Sequence, residues 1–391
     1  MERQPSLSAQ DPLNLDSLLS EEELSIRHVV RRYVERRVLP TISQQFEEAT
    51  SDLSLPQGLG ELGILGMHLE GYGCPGASAV AYGLACAELE AGDSAIRSFA
   101  SVQGSLAMFA IYEFGSEEQR LHYLPLMAKG DMIGCFGLTE PDSGSDPSGM
   151  RTTARKDGGD WILNGTKQWI TNGHIADVSV IWAQTEEGVR GYIVEADNPG
   201  LVANSINHKM SLRASATSEI SLTDCRVPDS ARLQHASGLG APLSCLNEAR
   251  FGILWGVTGA ARTCYLVALS YSTERYQFGR AIGAFQLTQS KLVAMSLALA
   301  RSQLLALHLG RLKDVGRLRP EQTSMGKLEN CRNAIEIARS SRSILGANGI
   351  SLEYPIMRHM QNLESVITYE GTEEIHTLAI GRALTGESAF N

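Results

Sequence analysis

Apolar positions recur at near-helical spacing through the first third of the chain. Residues 20–23, Ser-Glu-Glu-Glu, have the form of a capping box, and apolar residues about four apart follow them as far as Pro40. A second box of this form covers residues 116–119, and two alanine-rich stretches, 77–91 and 94–114, lie between the boxes. The pattern predicts a helical region from about residue 20 to residue 129.

From about residue 134 to residue 233 the apolar runs become short, β-branched and alternating. Turn sequences rich in Gly, Asn and Asp separate them, among them Asn164-Gly165. The candidate strands cover residues 151–156, 161–163, 178–183, 191–195 and 219–222. This spacing predicts an antiparallel β domain, either a small barrel or a sandwich.

Long helical patterns return near residue 243 and continue to the end of the chain. The predicted helices cover residues 243–276, 285–314, 320–345 and 372–384. Separate α, β and α blocks indicate an α+β fold and do not fit a doubly wound nucleotide-binding fold, in which strands and helices alternate. We therefore predict an N-terminal helical domain (1–133), a middle antiparallel β domain (134–236) and a C-terminal helical bundle (237–391).

Composition narrows the class of protein. The chain has 391 residues, of which 43% are hydrophobic, and a net charge of −10, which argues against a nucleic-acid surface. Its seven cysteines include no C-x-x-C pair, and its nine histidines form no zinc-binding array, so no metal site is predicted. The N-terminus lacks a signal-peptide pattern, and no stretch approaches the roughly 18 apolar residues of a membrane span. We expect a cytoplasmic protein without a membrane segment.

One glycine motif invites a nucleotide-binding interpretation. Residues 71–76, Gly-Tyr-Gly-Cys-Pro-Gly, match the G-x-G-x-x-G pattern. A dinucleotide fingerprint needs a parallel strand before it, and here a proline interrupts the loop. We interpret the segment as an ordinary glycine-rich loop.

Two polar segments could bind a flat heterocycle. Residues 136–146 combine small residues, hydroxyls and free amides where helix gives way to strand, and Trp169 with Thr171 could hold a ring from one side. Taken separately, the first segment could equally be a linker and the second an ordinary strand core.

Several motifs, in order along nearly the whole chain, resemble those of the acyl-CoA dehydrogenase family. They are residues 136–145, Trp169-Ile170-Thr171, Arg275-Tyr-Gln-Phe-Gly279 with Gln286, Leu345-Gly-Ala-Asn-Gly349 and Tyr369-Glu-Gly-Thr372. The resemblance implies a C-terminal four-helix bundle, a homotetramer, bound FAD and electron delivery to an electron-transferring flavoprotein. An oxidase of the same fold and a non-catalytic acyl-CoA-binding relative are the alternatives.

The resemblance also implies roles for individual residues. It places FAD between the β domain and the C-terminal bundle, with the adenine and pyrophosphate half received by a neighbouring subunit. The implied FAD contacts are Phe136, Leu138, Thr139, Gly144, Ser145, Trp169, Ile170, Thr171, Arg275, Phe278, Gln286, Leu345, Gly346, Asn348, Gly349, Thr372, Glu374 and Phe390. The implied acyl-CoA contacts are Arg97, Ser98, Ser145, Leu243, Leu246, Asn247, Arg250 and Gly371.

Glu370 is the predicted catalytic base, with Tyr369 beside it. Removing a proton next to a thioester carbonyl requires a base within hydrogen-bonding reach, and an apolar cleft raises the pKa of a carboxyl group. Without the other motifs, Glu370 could be a solvated acid just before a helix capped by Thr372.

Arg97 is the candidate for substrate choice. Glu90 precedes it by seven residues and could be its partner, because a buried arginine requires one. The segment resembles the branch of the family that acts on glutaryl-CoA, in which Arg97 and Ser98 hold the distal carboxylate and the product is decarboxylated to crotonyl-CoA. An exposed or ion-paired helix-end arginine is the alternative. Departures from that branch at Phe99, Gly104 and Glu248 leave another short or branched acyl-CoA open.

Overall fold

The N-terminal part of the computed structural model, which describes residues 7–390, is helical. Its helices are α1 (Glu21–Tyr33), α2 (Ile42–Glu48), α3 (Leu55–Glu61), α4 (Ala79–Gly92), α5 (Ser94–Ser101), α6 (Phe109–Phe114) and α7 (Glu117–Lys129). Both capping boxes are confirmed, because Ser20 and Ser116 accept from the backbone three residues on and the side chains there bond back. Helix α4 is buried on nearly all sides since it packs against α1, α5 and later helices.

The glycine motif at residues 71–76 forms a small ribbon. Strand β1 (Glu70–Gly71) pairs antiparallel with β2 (Cys74–Pro75) in a two-stranded sheet, and α4 follows. The strand that leads into this loop is two residues long and antiparallel, which does not fit the parallel strand that a dinucleotide fingerprint requires.

The middle of the chain forms one seven-stranded sheet. Its strands are β3 (Gly134–Gly137), β4 (Thr153–Asp157), β5 (Asp160–Thr171), β6 (Val178–Thr185), β7 (Gly188–Glu195), β8 (Leu201–Ser205) and β9 (Thr217–Pro228). The strand order is β3-β6-β4-β5-β9-β8, and β7 pairs with β6. The predicted β domain is confirmed, although β6 pairs in parallel with β3 and touches β4 in parallel, so the sheet is mixed.

Two differences from the predicted strands have local causes. Asn164-Gly165, predicted as a turn, is an irregularity inside β5, where the pairing with β9 shifts register and Asn164 bonds to Asp224 across the sheet. Strands β3 and β8 were not predicted. Strand β3 is buried at every position and therefore shows no alternation.

The C-terminal part is again helical. It contains α8 (Gly240–Glu274), α9 (Gln286–Asp314), α10 (Pro320–Leu345), α11 (Ile356–Val366) and α12 (Glu373–Thr385), with a hairpin of β10 (Tyr276–Gln277) and β11 (Arg280–Ala281) between α8 and α9. Helix α11 was not predicted because its buried face mixes Arg358, His359 and Asn362 with apolar residues. Helix α8 packs against both α4 and α10 and so joins the two helical regions.

Two of these helices correct the expectation about apolar stretches. By length and composition, α8 and α9 could each cross a membrane, with mean hydropathies of 1.3 and 1.5 over 18-residue windows. The α8 window is 72% buried inside the protein, as in the core helix of many folded domains, whereas the α9 window is only 39% buried. Such helices are weak indicators of a membrane span.

Candidate active site

Glu370 lies in a tight left-handed turn between α11 and α12. Its φ is 53° and that of Gly371 is 101°. The hydroxyl of Thr372 then accepts from the Ile375 amide at 3.3 Å and caps α12, as predicted. A non-glycine residue at positive φ is uncommon and persists only where its surroundings hold it, so this turn fixes the direction of the carboxylate.

One oxygen of the Glu370 carboxyl group is withdrawn from water, and the residue as a whole is half-buried. Its Oε2 atom is buried without a hydrogen-bond partner. Burial raises the pKa of Glu370, and the charges of Arg97, Lys327 and Arg250 oppose that rise. The alternative of a solvated helix-end acid is therefore wrong, because one carboxylate oxygen is buried and the pKa is raised.

Arg97 is fully buried beside this base. Its Nε donates to Glu90 at 2.6 Å, and its Nη2 donates to the hydroxyl of Tyr369. The hydroxyls of Ser98 and Tyr369 are 3.2 Å apart. Although burial disfavours the charged form, Glu90 and Tyr369 hold the pKa of Arg97 well above its usual value. The predicted Glu90 partner is present, so Arg97 is ion-paired, and only the exposed form of the alternative is wrong.

A glycine on α8 makes room for this ion pair. A Cβ atom at Gly256 would lie 2.2 Å from Glu90 Oε2 and 3.1 Å from Arg97 Nε. Sequence reasoning missed Gly256, and the available signal was a glycine within a long helix, where it costs stability unless close packing requires it.

The predicted acyl-CoA residues of α8 share one face of that helix. Leu243, Leu246, Asn247 and Arg250 follow three-and-four spacing, and Arg250 Nε donates to the Glu370 carbonyl at 2.7 Å. Glu248, one of the departures, points elsewhere, because it pairs with Lys313 at 2.7 Å.

The other two departures lie in the N-terminal helices. Phe99 is buried in the main core. At Gly104, a Cβ atom would stand 2.8 Å from the Gly66 amide nitrogen, so the backbone itself excludes a hydroxylated residue there.

The predicted flavin-facing residues form one group at the ends of β3 and β5. Thr139 accepts from the Gln168 amide at 2.9 Å, which brings the segment containing Phe136 and Leu138 beside that of Ile170 and Thr171. Phe136, Leu138 and Ile170 are buried, whereas the Trp169 indole is 56% exposed at a φ of 61°. Gly144 and Ser145 lie on an exposed turn, with open space around Gly144.

The residues predicted for the other half of the cofactor form a second, separate group. Phe278, at the tip of the β10–β11 hairpin, is 94% exposed and stacks edge-on against Phe285 at 6.2 Å. Within the described residues, every hydrogen bond of residues 275–280 stays between residues 271 and 282. Gln286 is exposed at the start of α9.

The glycine-containing segment after α10 was predicted to contact the same half of the cofactor. Asn348 donates to the hydroxyl of Tyr271 at 3.1 Å, and Gly346 is exposed at a φ of 61°. Leu345 and Gly349 are buried, and Leu345 packs in the core of the bundle, so these two residues anchor the segment to the protein interior. Glu374 is exposed on α12. The hydrogen bonds found for Phe390 reach no farther than Ser388.

The chain belongs to the acyl-CoA dehydrogenase family. Models of that family's N-terminal, middle and C-terminal domains match residues 20–131, 135–225 and 236–385. The chain is 33% identical to the mitochondrial short-chain specific acyl-CoA dehydrogenase of Rattus norvegicus over 369 residues, which cover 93% of this chain and 90% of that protein.

Solved structures give a finer likeness. The chain is 62% identical to glutaryl-CoA dehydrogenase from Mycobacterium smegmatis, with a TM-score of 0.98 over 98% of this chain and 100% of that one. A glutaryl-CoA dehydrogenase from the same organism in complex with FADH2 is 56% identical, with a TM-score of 0.98 over 99% and 100% of the two chains.

Proposed function

We propose that this acyl-CoA dehydrogenase oxidises glutaryl-CoA between the two carbons next to the thioester and then releases the distal carboxylate as carbon dioxide. The observation that carries the proposal is the buried Arg97, which lies beside Tyr369 and close to Glu370. The likeness to glutaryl-CoA dehydrogenase at 62% identity supports it.

Arg97 can receive a second anion. Glu90 accepts a hydrogen bond from the Arg97 Nε group, and the Tyr369 hydroxyl accepts one from its Nη2 group. Within residues 7–390, no hydrogen bond of the Arg97 Nη1 group is found. A guanidinium fork in a buried site suits a carboxylate, and the hydroxyls of Ser98 and Tyr369 add polar contacts. A monocarboxylic acyl chain would leave this donor unsatisfied, which costs binding free energy.

Glu370 starts the reaction. With its raised pKa, the carboxylate takes the proton from the carbon next to the thioester carbonyl. The backbone amide of Glu370 lies in the same turn and is the candidate donor to the thioester oxygen, where negative charge develops.

FAD is the cofactor, and the flavin-facing group fits it. An indole held at positive φ and left 56% exposed offers an open flat face beside the buried Phe136 and Leu138. When bound, FAD would supply the acceptor for the hydride on the next carbon, and loss of that hydride would give glutaconyl-CoA. Thr139, Trp169 and Thr171 would hold its ring, and Ser145 would contact a phosphate.

Decarboxylation follows from the same pocket. When the distal carboxylate leaves as carbon dioxide, its bonding electrons enter the conjugated enoyl thioester, and a proton returned from Glu370 gives crotonyl-CoA. Tyr369 lies next to that carboxylate and orients it.

The assembly and the electron acceptor are also part of the proposal. Helix α9 carries four exposed apolar side chains, those of Leu287, Val293, Leu297 and Leu304, and Phe278 in the hairpin before it is also exposed. These exposed apolar groups support a homotetramer in which a neighbouring subunit receives the adenine half of FAD. We propose an electron-transferring flavoprotein as the acceptor and the cytoplasm as the location.

A substrate panel tests the proposed function. Purified enzyme is assayed with glutaryl-, butyryl- and isobutyryl-CoA and an artificial electron acceptor. We expect kcat/KM for glutaryl-CoA to exceed the others by at least about tenfold, the discrimination that one charged contact supplies. Faster turnover of butyryl- or isobutyryl-CoA would refute the substrate, and peroxide release without an acceptor would indicate an oxidase.

A further inference from the structure

Two cations, the buried Lys327 and the half-buried Arg250, hold the three backbone carbonyls around the base. Lys327 Nζ, on α10, donates to the carbonyl of Tyr369 at 2.5 Å and to that of Gly371 at 2.6 Å. Arg250 Nε, on α8, donates to the carbonyl between them, that of Glu370. We call Lys327 and Arg250 the carbonyl clamp. It joins two core helices to the left-handed turn that carries the carboxylate.

Burying the charged Lys327 at this position costs free energy of folding. It is almost completely buried, and burial lowers the pKa of its ammonium group to about 8. Within the described residues its hydrogen bonds go only to these two carbonyls, and no carboxylate lies within ion-pair distance of it. An apolar side chain would fill the space without this cost, so the position is explained better by the turn than by packing.

The residue between these two carbonyls has a strained backbone. Glu370 has a φ of 53°, which is uncommon for a residue other than glycine and persists only where its surroundings hold it. A donor that bridges the carbonyls before and after Glu370 limits rotation of the peptide units on either side of it. The direction of the carboxylate then depends on Lys327.

We propose that Lys327 is a positioning residue for the catalytic base: it holds the Glu370 turn in its left-handed conformation and places a positive charge beside the carboxylate. This role rests on the proposed function of Glu370. It extends that function to a residue on another helix, 43 positions earlier in the sequence.

Several charged or titratable groups face Glu370 from the surrounding helices, and they define what a test must separate. Arg97 approaches from α5, Arg250 from α8, Lys327 from α10 and His376 from α12, and Tyr369 precedes the base. Burial, helped by Lys327 and Arg250, lowers the pKa of His376 to about 3, so this histidine stays neutral in the assay range. Removing Lys327 therefore removes one positive charge without exchanging it for another.

The test compares Lys327→Met and Lys327→Arg with Asn330→Ala, measured as FAD-loaded enzyme. Asn330, one turn along α10, is the matched control because it is also buried and also donates to two carbonyls, those of Leu254 and Ser302, away from the base. For Lys327→Met we expect kcat to fall by about 10- to 100-fold with KM changed less than about threefold. The acid limb of its kcat profile should move up by about 0.5 to 1 pH unit, because a nearby cation is lost.

Lys327→Arg should keep the acid limb of the wild type, because the positive charge remains. On a logarithmic scale, its loss of kcat should be at most about two thirds of the loss in Lys327→Met. Asn330→Ala should lower the melting temperature while kcat stays within about twofold. If Lys327→Met does not fold, Lys327→Gln takes its place in the same measurements. An unshifted acid limb, or equal losses of kcat in the Lys327 and Asn330 variants, would show a structural role only and overturn the proposal.

Wild-type enzyme in the same assay separates this proposal from the proposed function. If the wild type fails to oxidise glutaryl-CoA, the substrate is wrong, and Lys327 is then tested with the acyl-CoA that the panel selects. If the wild type is active and the Lys327 variants match it, only the role of Lys327 is lost.

Discussion

The pocket around Arg97 and the β10–β11 hairpin differ in burial and in the contacts that their side chains make within the chain. In the pocket, Arg97 and Glu90 are fully buried, and each is bonded to the other and to neighbours of the same chain. At the hairpin, Phe278 is almost fully exposed, and its contacts within the chain are local. Both were assigned to one active site by resemblance, but only in the pocket do the described residues of the chain supply partners for the buried side chains.

This difference separates two kinds of function within one site. Buried charges must be paired where they stand, so the pocket has its geometry before any ligand arrives. An exposed aromatic tip gains free energy only when another surface covers it. We infer that substrate chemistry belongs to each chain and that retention of the cofactor depends on assembly.

Replacing the base should have the largest effect. Glu370→Gln keeps the size of the side chain but cannot take a proton, and we expect kcat with glutaryl-CoA to fall by about 10⁴-fold or more. Stopped assays with high enzyme concentration measure the residual rate. The flavin absorbance and the acyl-CoA affinity should stay within about threefold of the wild type, and near-normal turnover would show that another residue is the base.

Breaking the pocket should change the choice of substrate. In Arg97→Met, kcat/KM for glutaryl-CoA should drop by about 10²- to 10³-fold, whereas butyryl-CoA should lose much less, because only the first substrate has a carboxylate for the guanidinium. Since this variant leaves Glu90 buried without its cation, the double variant Glu90→Gln/Arg97→Met is the control. Equal losses for both substrates in the double variant would contradict the carboxylate role.

Breaking the hairpin should affect the cofactor and the assembly instead. Phe278→Asp should weaken FAD retention by about tenfold and shift the protein towards smaller species, because a charge replaces an aromatic tip that needs an apolar cover. Gel filtration and the ratio of flavin to protein absorbance report both effects. Leu53→Asp, at another exposed position, is the control and should change neither.

The last and smallest effect is the pH dependence of kcat in the unmodified enzyme. Burial raises the pKa of Glu370 above the usual 4.5 of a glutamate carboxyl group. Because this group acts as a base, kcat should fall on the acid side through a pKa higher than 4.5. Burial lowers the pKa of His68 to about 4 and that of His376 to about 3, so neither produces a limb at higher pH. Full kcat maintained down to pH 4.5 would contradict the buried base.

The sequence predicted features that depend on neighbours along the chain. The bounds of α10, both capping boxes and the Thr372 cap follow from a few adjacent residues, and Glu90 lies only seven positions before Arg97. Lys327 was missed because its two carbonyl partners lie 42 and 44 residues away. Every residue has a backbone carbonyl, so the sequence does not indicate which of them a lysine will contact. The bulge at Asn164-Gly165 was missed because only pairing with β9 distinguishes it from a turn.

The most direct test of the central claim is anaerobic mixing of the flavin-loaded enzyme with glutaryl-CoA. The account predicts that the yellow flavin absorbance bleaches and that, on turnover with an electron acceptor, crotonyl-CoA and carbon dioxide form in equal amounts. Glu370→Gln mixed in the same way should stay yellow. A flavin that stays oxidised in the wild type, while butyryl-CoA bleaches it, would contradict the account.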